Sequence, residues 1–452
     1  MMQRQSKLLS ESVGTALEWL FAARIPSIVE DKARLLLLDT VACVLAASSK
    51  SEPQAMSRRL ADFDPGDVLV PGFTARLSAS AAAAQFAAAA CWDEACEGLA
   101  RAHGRPGVAV LAALSAIAQA RNMNLGQLLD ALVVGYETGG RIGEALRIAP
   151  GMHVDATWSC FGVAAATVHL AGGTHQQAAR AIAIAACQMP YSLYAPVAVG
   201  ATARNTYLAH AAQLGMLAGA SALADLGAPD DALDTLQRLA LAHAPPGAAV
   251  AAPGEWFILE GYLKPFAAVR HVHYGAAAAI ALRHRIAGQV ADISRLRLHT
   301  YPEAITYCAN RHPVTALAAQ FSLSFGVARA LVAGDLAPDA YEPQALADSM
   351  TRALEANVEL VVDEQMAGSG RRGGRLEIEV AGTVLSCEID RVAGDPGSPM
   401  TREAVAAKFC RYATRALGER SALRVADTLP AEGRSRSWRD IIGGMAVRQG
   451  HG

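Results

Sequence analysis

With 452 residues, 52% of them hydrophobic and only 18% charged, the chain carries apolar material for two domains or for one large core with an appended module. A formal net charge of −2 gives no reason to expect nucleic acid or an anionic membrane as a partner. No apolar stretch reaches the roughly 18–20 residues of a membrane span. The polar start Met1–Glu11 lacks a signal-peptide core, so a cytoplasmic protein is expected.

Much of the hydrophobic fraction is alanine, and runs at 81–84 and 276–279 favour helix-on-helix packing. Apolar spacing at Ala33, Leu36, Leu37 and Val41 predicts a helix over Ile28–Ala47. Asn124 caps a helix expected at Leu125–Leu146, and Gly172-Gly173 closes another at Ser159–Leu170. Gln176–Ala186 and Thr206–Leu226 continue the helical pattern, with little strand before Pro253.

The character changes after Lys264. Ile293–Thr300 alternates apolar and polar residues, the period of a half-buried strand. Val358–Val362, Arg375–Val380 and Thr383–Arg391 read as further strands, the last two joined by a hairpin at Ala381-Gly382. Helices are expected at Ala276–His284, Thr315–Ala333 and Tyr341–Ala356, then at Thr401–Leu417 and in a short piece at Trp438–Val447. The expected fold is mainly α with an α+β second domain. Residues 1–266 form a large all-helical domain, completed by C-terminal helices over 402–452, and residues 267–401 form a smaller α+β lid.

Chemistry-bearing residues cluster in a few places. Cys91-Trp92-Asp93-Glu94 is followed by His103-Gly104-Arg105-Pro106-Gly107 before an apolar helix. A helix N-terminus favours anions, and an imidazole there suits acid–base work, although the same pattern also suits a solvated loop. Lys264-Pro265-Phe266 and Arg270-His271-Val272-His273 gather cationic and imidazole groups at the apparent domain boundary, where pockets are favoured; a surface basic patch is the other reading. His271 and His273 would share a face in a strand, but no third metal ligand accompanies them. Glu137 and Arg141 have the spacing of a helical ion pair, and Tyr136 could offer a phenol to a cavity or simply pack. His153 precedes a helix start. Arg204 begins one, against the dipole, and so calls for an anionic neighbour. The eight cysteines include no C-x-x-C pair, so neither zinc nor disulfides are expected.

In order and spacing these pieces resemble the MmgE/PrpD family, whose members include 2-methylcitrate dehydratase, cis-aconitate decarboxylase and iminodisuccinate epimerase. The matching blocks are Leu38–Ala46, the loop 91–107, Gly135-Tyr136-Glu137, His153 with Phe161-Gly162, Lys264-Pro265-Phe266 through His273, Gln320–Leu323, and Gly394-Asp395-Pro396. The resemblance implies a homodimer with its active site between a helical domain and an α+β lid, and catalysis on a small polycarboxylate without metal or cofactor. His103, His153, Lys264 and His273 stand at positions similar to the family's site residues.

The chain also departs from the family pattern. An Asp-Phe-Asp-Asp-Thr type run reads Cys91 to Ala95, the lysine at the Ala-rich helix is Arg204, and a Phe-Ser-Leu-Pro-Tyr run reads Phe321 to Phe325. On this basis His103 and Lys264 are expected as the acid–base pair, with Asp93, His153 and Tyr136 assisting. Arg204, Arg270, His273 and Cys91 are expected to hold substrate, Cys91 being alternatively a small apolar residue. The implied reaction is proton abstraction next to a carboxylate, with loss of water or CO2 in a lyase. Reprotonation on the opposite face would make an epimerase of an amino- or imino-dicarboxylate.

Overall fold

A computed structural model describes residues 8–146, 148–240, 250–286, 289–369 and 371–445. The first part is built from helices α1 (Leu9–Ala22), α2 (Ser27–Ser48), α3 (Ser51–Phe63), α4 (Ala79–Cys91), α5 (Pro106–Ala120), α6 (Leu125–Ala145), α7 (Ser159–Leu170), α8 (His175–Ala186), α9 (Ala195–Ala198), α10 (Tyr207–Leu223) and α11 (Ala232–Ala240). A short strand, β1 (Pro65–Val68), interrupts them and bridges to Leu77, an element the helical reading of this half did not foresee.

The alanine content has a direct packing consequence. Every residue of α2 from Leu36 to Ser48 is buried, as is every residue of α4 from Ala81 to Cys91, so these helices run through the core instead of along its surface. Small side chains permit that, because neighbouring helices can approach on all sides. At the α6–α7 crossing, a Cβ on Gly162 would lie 2.5 Å from the Gly135 carbonyl oxygen, so glycine is required for the approach. Helix α6 opens with a reciprocal capping box between Asn124 and Gln127. The Glu137–Arg141 ion pair forms on α6, fully buried, and Glu137 also accepts the backbone N–H groups of Phe257 and Ile258 at 3.0 and 2.9 Å. That pair is structural: it pins the chain segment leading to Lys264.

The second part starts with α12 (Arg270–Arg285), six residues earlier than the sequence pattern suggests. Its sheet contains β2 (Ile293–Thr300), β3 (Val358–Val362), β4 (Gly374–Val380) and β5 (Thr383–Ile389) in the order β3-β2-β4-β5. β2 runs parallel to β3 and antiparallel to β4, and β4–β5 is a hairpin turning through Ala381 and Gly382, both at positive φ. Between β2 and β3 lie α13 (Pro302–Cys308), α14 (Ala316–Gln320), α15 (Leu323–Ala333), α16 (Pro343–Leu346) and α17 (Ser349–Asn357); α18 (Glu364–Ser369) follows β3. The single helix expected over Thr315–Ala333 is therefore two. The chain breaks at Phe321 and Ser322, where the Ser322 hydroxyl caps α15 by accepting the Phe325 N–H.

Helices α19 (Arg402–Leu417), α20 (Glu419–Thr428) and α21 (Trp438–Gly443) are the last among the described residues, with α19 packed along α2. The last helix ends at Gly443, short of the expected Val447, which itself lies outside the described residues. Among the described residues no helix is long and apolar enough to cross a membrane.

Candidate active site

The loop between α4 and α5 carries the first wall of a cavity of about 150 Å3. Two of its non-glycine residues, Glu94 (φ 51°) and His103 (φ 55°), hold left-handed backbone conformations, which cost free energy and persist only where the surroundings enforce them. The enforcement is visible. Gly98 and Tyr262 exchange backbone hydrogen bonds at 3.0 and 2.8 Å, the Leu99 N–H reaches the Gly104 carbonyl at 2.8 Å, and Trp158 packs where a Gly104 Cβ would stand. Pro106 then starts α5 with a preset φ.

Glu94 organises the cavity. Its carboxylate accepts from Lys264 Nζ at 2.7 Å, from Arg105 at 3.1 Å and from Arg204. Lys264 Nζ also donates to the Glu94 carbonyl at 2.9 Å. Burial alone would raise the Glu94 pKa, but Arg105, Arg204 and Lys264 together hold it well below the usual carboxylate range. Asp155, also buried, pairs with Arg105 and lies 3.6 Å from Arg204. The arginine that opposes its helix dipole thus has the anionic neighbours it needs.

His153 is held by a backbone loop. Its N–H donates to the Ser192 carbonyl at 2.8 Å, while its ring Nδ1 accepts the Asp155 backbone N–H at 3.1 Å. That bond places the ring proton on Nε2. Burial, opposed by Asp155, depresses the His153 pKa to about 4, so the ring is a neutral N–H donor at pH 7.

The opposite wall comes from α12 and the α+β part. Arg270 pairs with Asp395 and lies over the Tyr262 ring at 4.9 Å. His271 shares a 2.6 Å hydrogen bond with the Tyr301 hydroxyl, and burial lowers its pKa to about 4. Arg372 pairs with Glu303 at 3.1 Å, and both reach the cavity, as does Phe321 from the break between α14 and α15. The lining contains five cationic side chains, Arg105, Arg204, Lys264, Arg270 and Arg372, against the three carboxylates Glu94, Asp155 and Glu303. Counting Asp395 behind Arg270 leaves an excess of one.

Beneath this floor lies a tie that was not foreseen. Lys408 of α19 is buried and donates to Asp39 at 2.6 Å and to the carbonyls of Ala95 and Lys264, each at 2.8 Å. Burial opposes the Lys408 charge, but Asp39 more than offsets it and the pKa stays raised.

Of the nine residues singled out from sequence, His103, Lys264, His153, Arg204 and Arg270 line the cavity. Four do not. Asp93 turns away to pair with Lys50 at 2.8 Å, leaving the cavity to its neighbour Glu94. Tyr136 is buried in α6 against Gly261, behind the wall. His273 is fully buried. Its Nε2 meets the Ala268 carbonyl at 3.0 Å and its Nδ1 meets Arg270 at 3.3 Å, so it stands behind that arginine and can reach substrate only through it. Cys91 is buried at the end of α4, and its carbonyl accepts from Arg204 at 3.3 Å. His271 and His273 lie on the first turn of a helix, not in a strand, and point to different partners. The sequence patterns assign no role to Glu94, Arg105, Asp155, His271, Tyr262, Glu303 or Arg372, all of which line the cavity.

A helical body and an α+β module thus share a cation-rich cavity lined by residues of both, and that combination of fold and site defines the class of protein. The chain matches the model of the MmgE/PrpD N-terminal domain over residues 17–246 and that of the MmgE/PrpD C-terminal domain over residues 266–429. It belongs to the MmgE/PrpD family. No curated protein matches it.

Proposed function

We propose that the protein is a cofactor-independent lyase acting on a small di- or tricarboxylate, either removing a proton next to a carboxylate as hydroxide leaves from the neighbouring carbon as water, or releasing CO2 and protonating the carbon left with the bonding pair. The observation that carries this reading is the cationic excess around a small cavity lined by three imidazoles. Such a proton is weakly acidic, and charge grows on the carboxylate as it leaves. Cations fixed in a largely buried site stabilise that charge without reorganising.

In this reading His103, which lines the cavity, takes the proton, while His153 and His271, with pKa values near 4, are weak bases. Lys264, an ammonium already bonded twice to Glu94, has one further proton to offer a leaving oxygen or a carbanion. The neutral His153 ring donates through Nε2. Arg204, Arg270 and Arg372 hold carboxylates.

A second reading is an epimerase of an amino- or imino-dicarboxylate. It is favoured by the presence of more than one proton-carrying group, His103 and Lys264, on the same small cavity. Proton NMR of the protein with a panel of di- and tricarboxylates in deuterated water tests both. Alkene formation or CO2 release supports the lyase; deuterium uptake at an α-carbon without elimination supports the epimerase. No change in any acid, with tight binding of several, overturns both.

A further inference from the structure

A second cavity, of about 310 Å3, shares part of its lining with the first. It has a different character. Leu146, Ile148, Met152, Trp158, Tyr194 and Tyr307 surround it, and none of these lines the cationic cavity. The two share His103, His153 and His271, together with Phe321 and Glu303. The imidazoles therefore stand at the junction of a charged chamber and an apolar one.

One wall of the apolar chamber is built from rings of both parts of the molecule. Tyr194 stacks on His153 with centroids 6.1 Å apart and meets Tyr307 at 5.3 Å, and Tyr307 stacks on His271 at 6.1 Å. The Tyr194 hydroxyl donates to the Tyr307 carbonyl at 3.1 Å, tying the wall together. A polycarboxylate alone has nothing to place against these surfaces, because its charged groups would lose hydration there without partners.

Resting on the reading of the cationic cavity given above, we infer that the substrate is an amphiphilic carboxylic acid. Its carboxylate head sits among Arg204, Lys264 and Arg270, and an aliphatic or aromatic arm, of hexyl or benzyl size, fills the apolar chamber. The carbon that loses its proton to His103 then lies at the junction, on or beside the carbon bearing the arm. Burying such an arm releases water from apolar surface on both partners and needs no further polar group.

Calorimetric titration with succinate, 2-hexylsuccinate and 2-benzylsuccinate tests the inference, the three sharing a head and differing in the arm. At least one armed acid is expected to bind more than roughly tenfold tighter than succinate, which burial of two methylene groups already supplies. Met152→Glu, which places a charge in the apolar chamber, is expected to abolish that ratio, and Met152→Leu to keep it. If succinate binds and neither arm improves affinity, or if Met152→Glu leaves the ratio intact, the inference is overturned while the proposed function stands. If neither succinate nor either armed acid binds and no acid in the deuterium experiment reacts, the reading of the cationic cavity itself has failed.

Discussion

The two walls of the cationic cavity are made differently. On the helical side Glu94, Arg105, Asp155 and Arg204 are all nearly inaccessible, each ionised group touching at least one of opposite sign. On the α+β side Arg372 and Glu303 pair at 3.1 Å with side chains 30% and 43% exposed. Buried ions tolerate almost no rearrangement, because any loss of a partner leaves a charge without water. Half-exposed ions can part and re-form at little cost. Under the proposed function the comparison implies a division of work, in which the helical wall fixes the reacting geometry and the α+β wall admits and selects the substrate.

Breaking the helical wall should have the largest effect. Glu94→Ala takes a carboxylate from three buried cations, of which Arg105 and Arg204 keep Asp155, and is expected to lower stability by about 3–5 kcal/mol, read from chemical denaturation, with activity lost. If Glu94→Ala unfolds no more easily than the parent, the central role of this carboxylate is wrong. His103→Ala is expected to reduce turnover by about 10²–10⁴-fold while leaving the denaturation midpoint nearly unchanged. Comparable loss of stability would assign His103 to the fold and not to the reaction.

On the other wall, Arg372→Gln should raise KM by roughly threefold to tenfold with kcat little altered, and the difference should shrink as salt rises. A drop in kcat alone would erase the proposed division. The smallest effect lies in acid stability. His153 and His271 titrate near 4 in the folded chain, against an ordinary value of about 6.5. Between those values the unfolded chain takes up protons that the folded chain does not, so stability falls as pH drops from about 6.5 to 4. His153→Asn keeps an acceptor where Nδ1 stands and removes one of the two titrations. It should make the part of this slope that the two rings contribute roughly half as steep, measured from midpoints over that pH range.

Elements with strong local periods were legible in the sequence. Ile293–Thr300 and Val358–Val362 are strands over the expected residues because side-chain alternation or β-branched content states their pairing surface locally. The short strand Pro65–Val68 has no such signal; only its bridges to Leu77 define it. For the cavity lining, local patterns pointed to His103, His153 and Lys264 but not to the choice between Asp93 and Glu94. That choice follows from the left-handed backbone at Glu94, which depends on the docking of this loop against Tyr262. Arg372, more than a hundred residues beyond Lys264, reaches the cavity only because β4 pairs with β2, and no nearby residue could have announced it.

Lys408 gives the cavity a history as well as a floor. Its three bonds join α2, the loop bearing Glu94 and the backbone of Lys264, segments made early, early and midway along the chain, to a helix made near its end. During synthesis the Glu94 loop therefore exists for most of the chain's growth, and the Lys264 segment for about a third of it, without the ammonium that binds them to each other. Asp39 meanwhile waits in the core without its cation. Of these segments α19 is the last to be made, so a ribosome-bound chain can complete this floor only after almost everything else has been made.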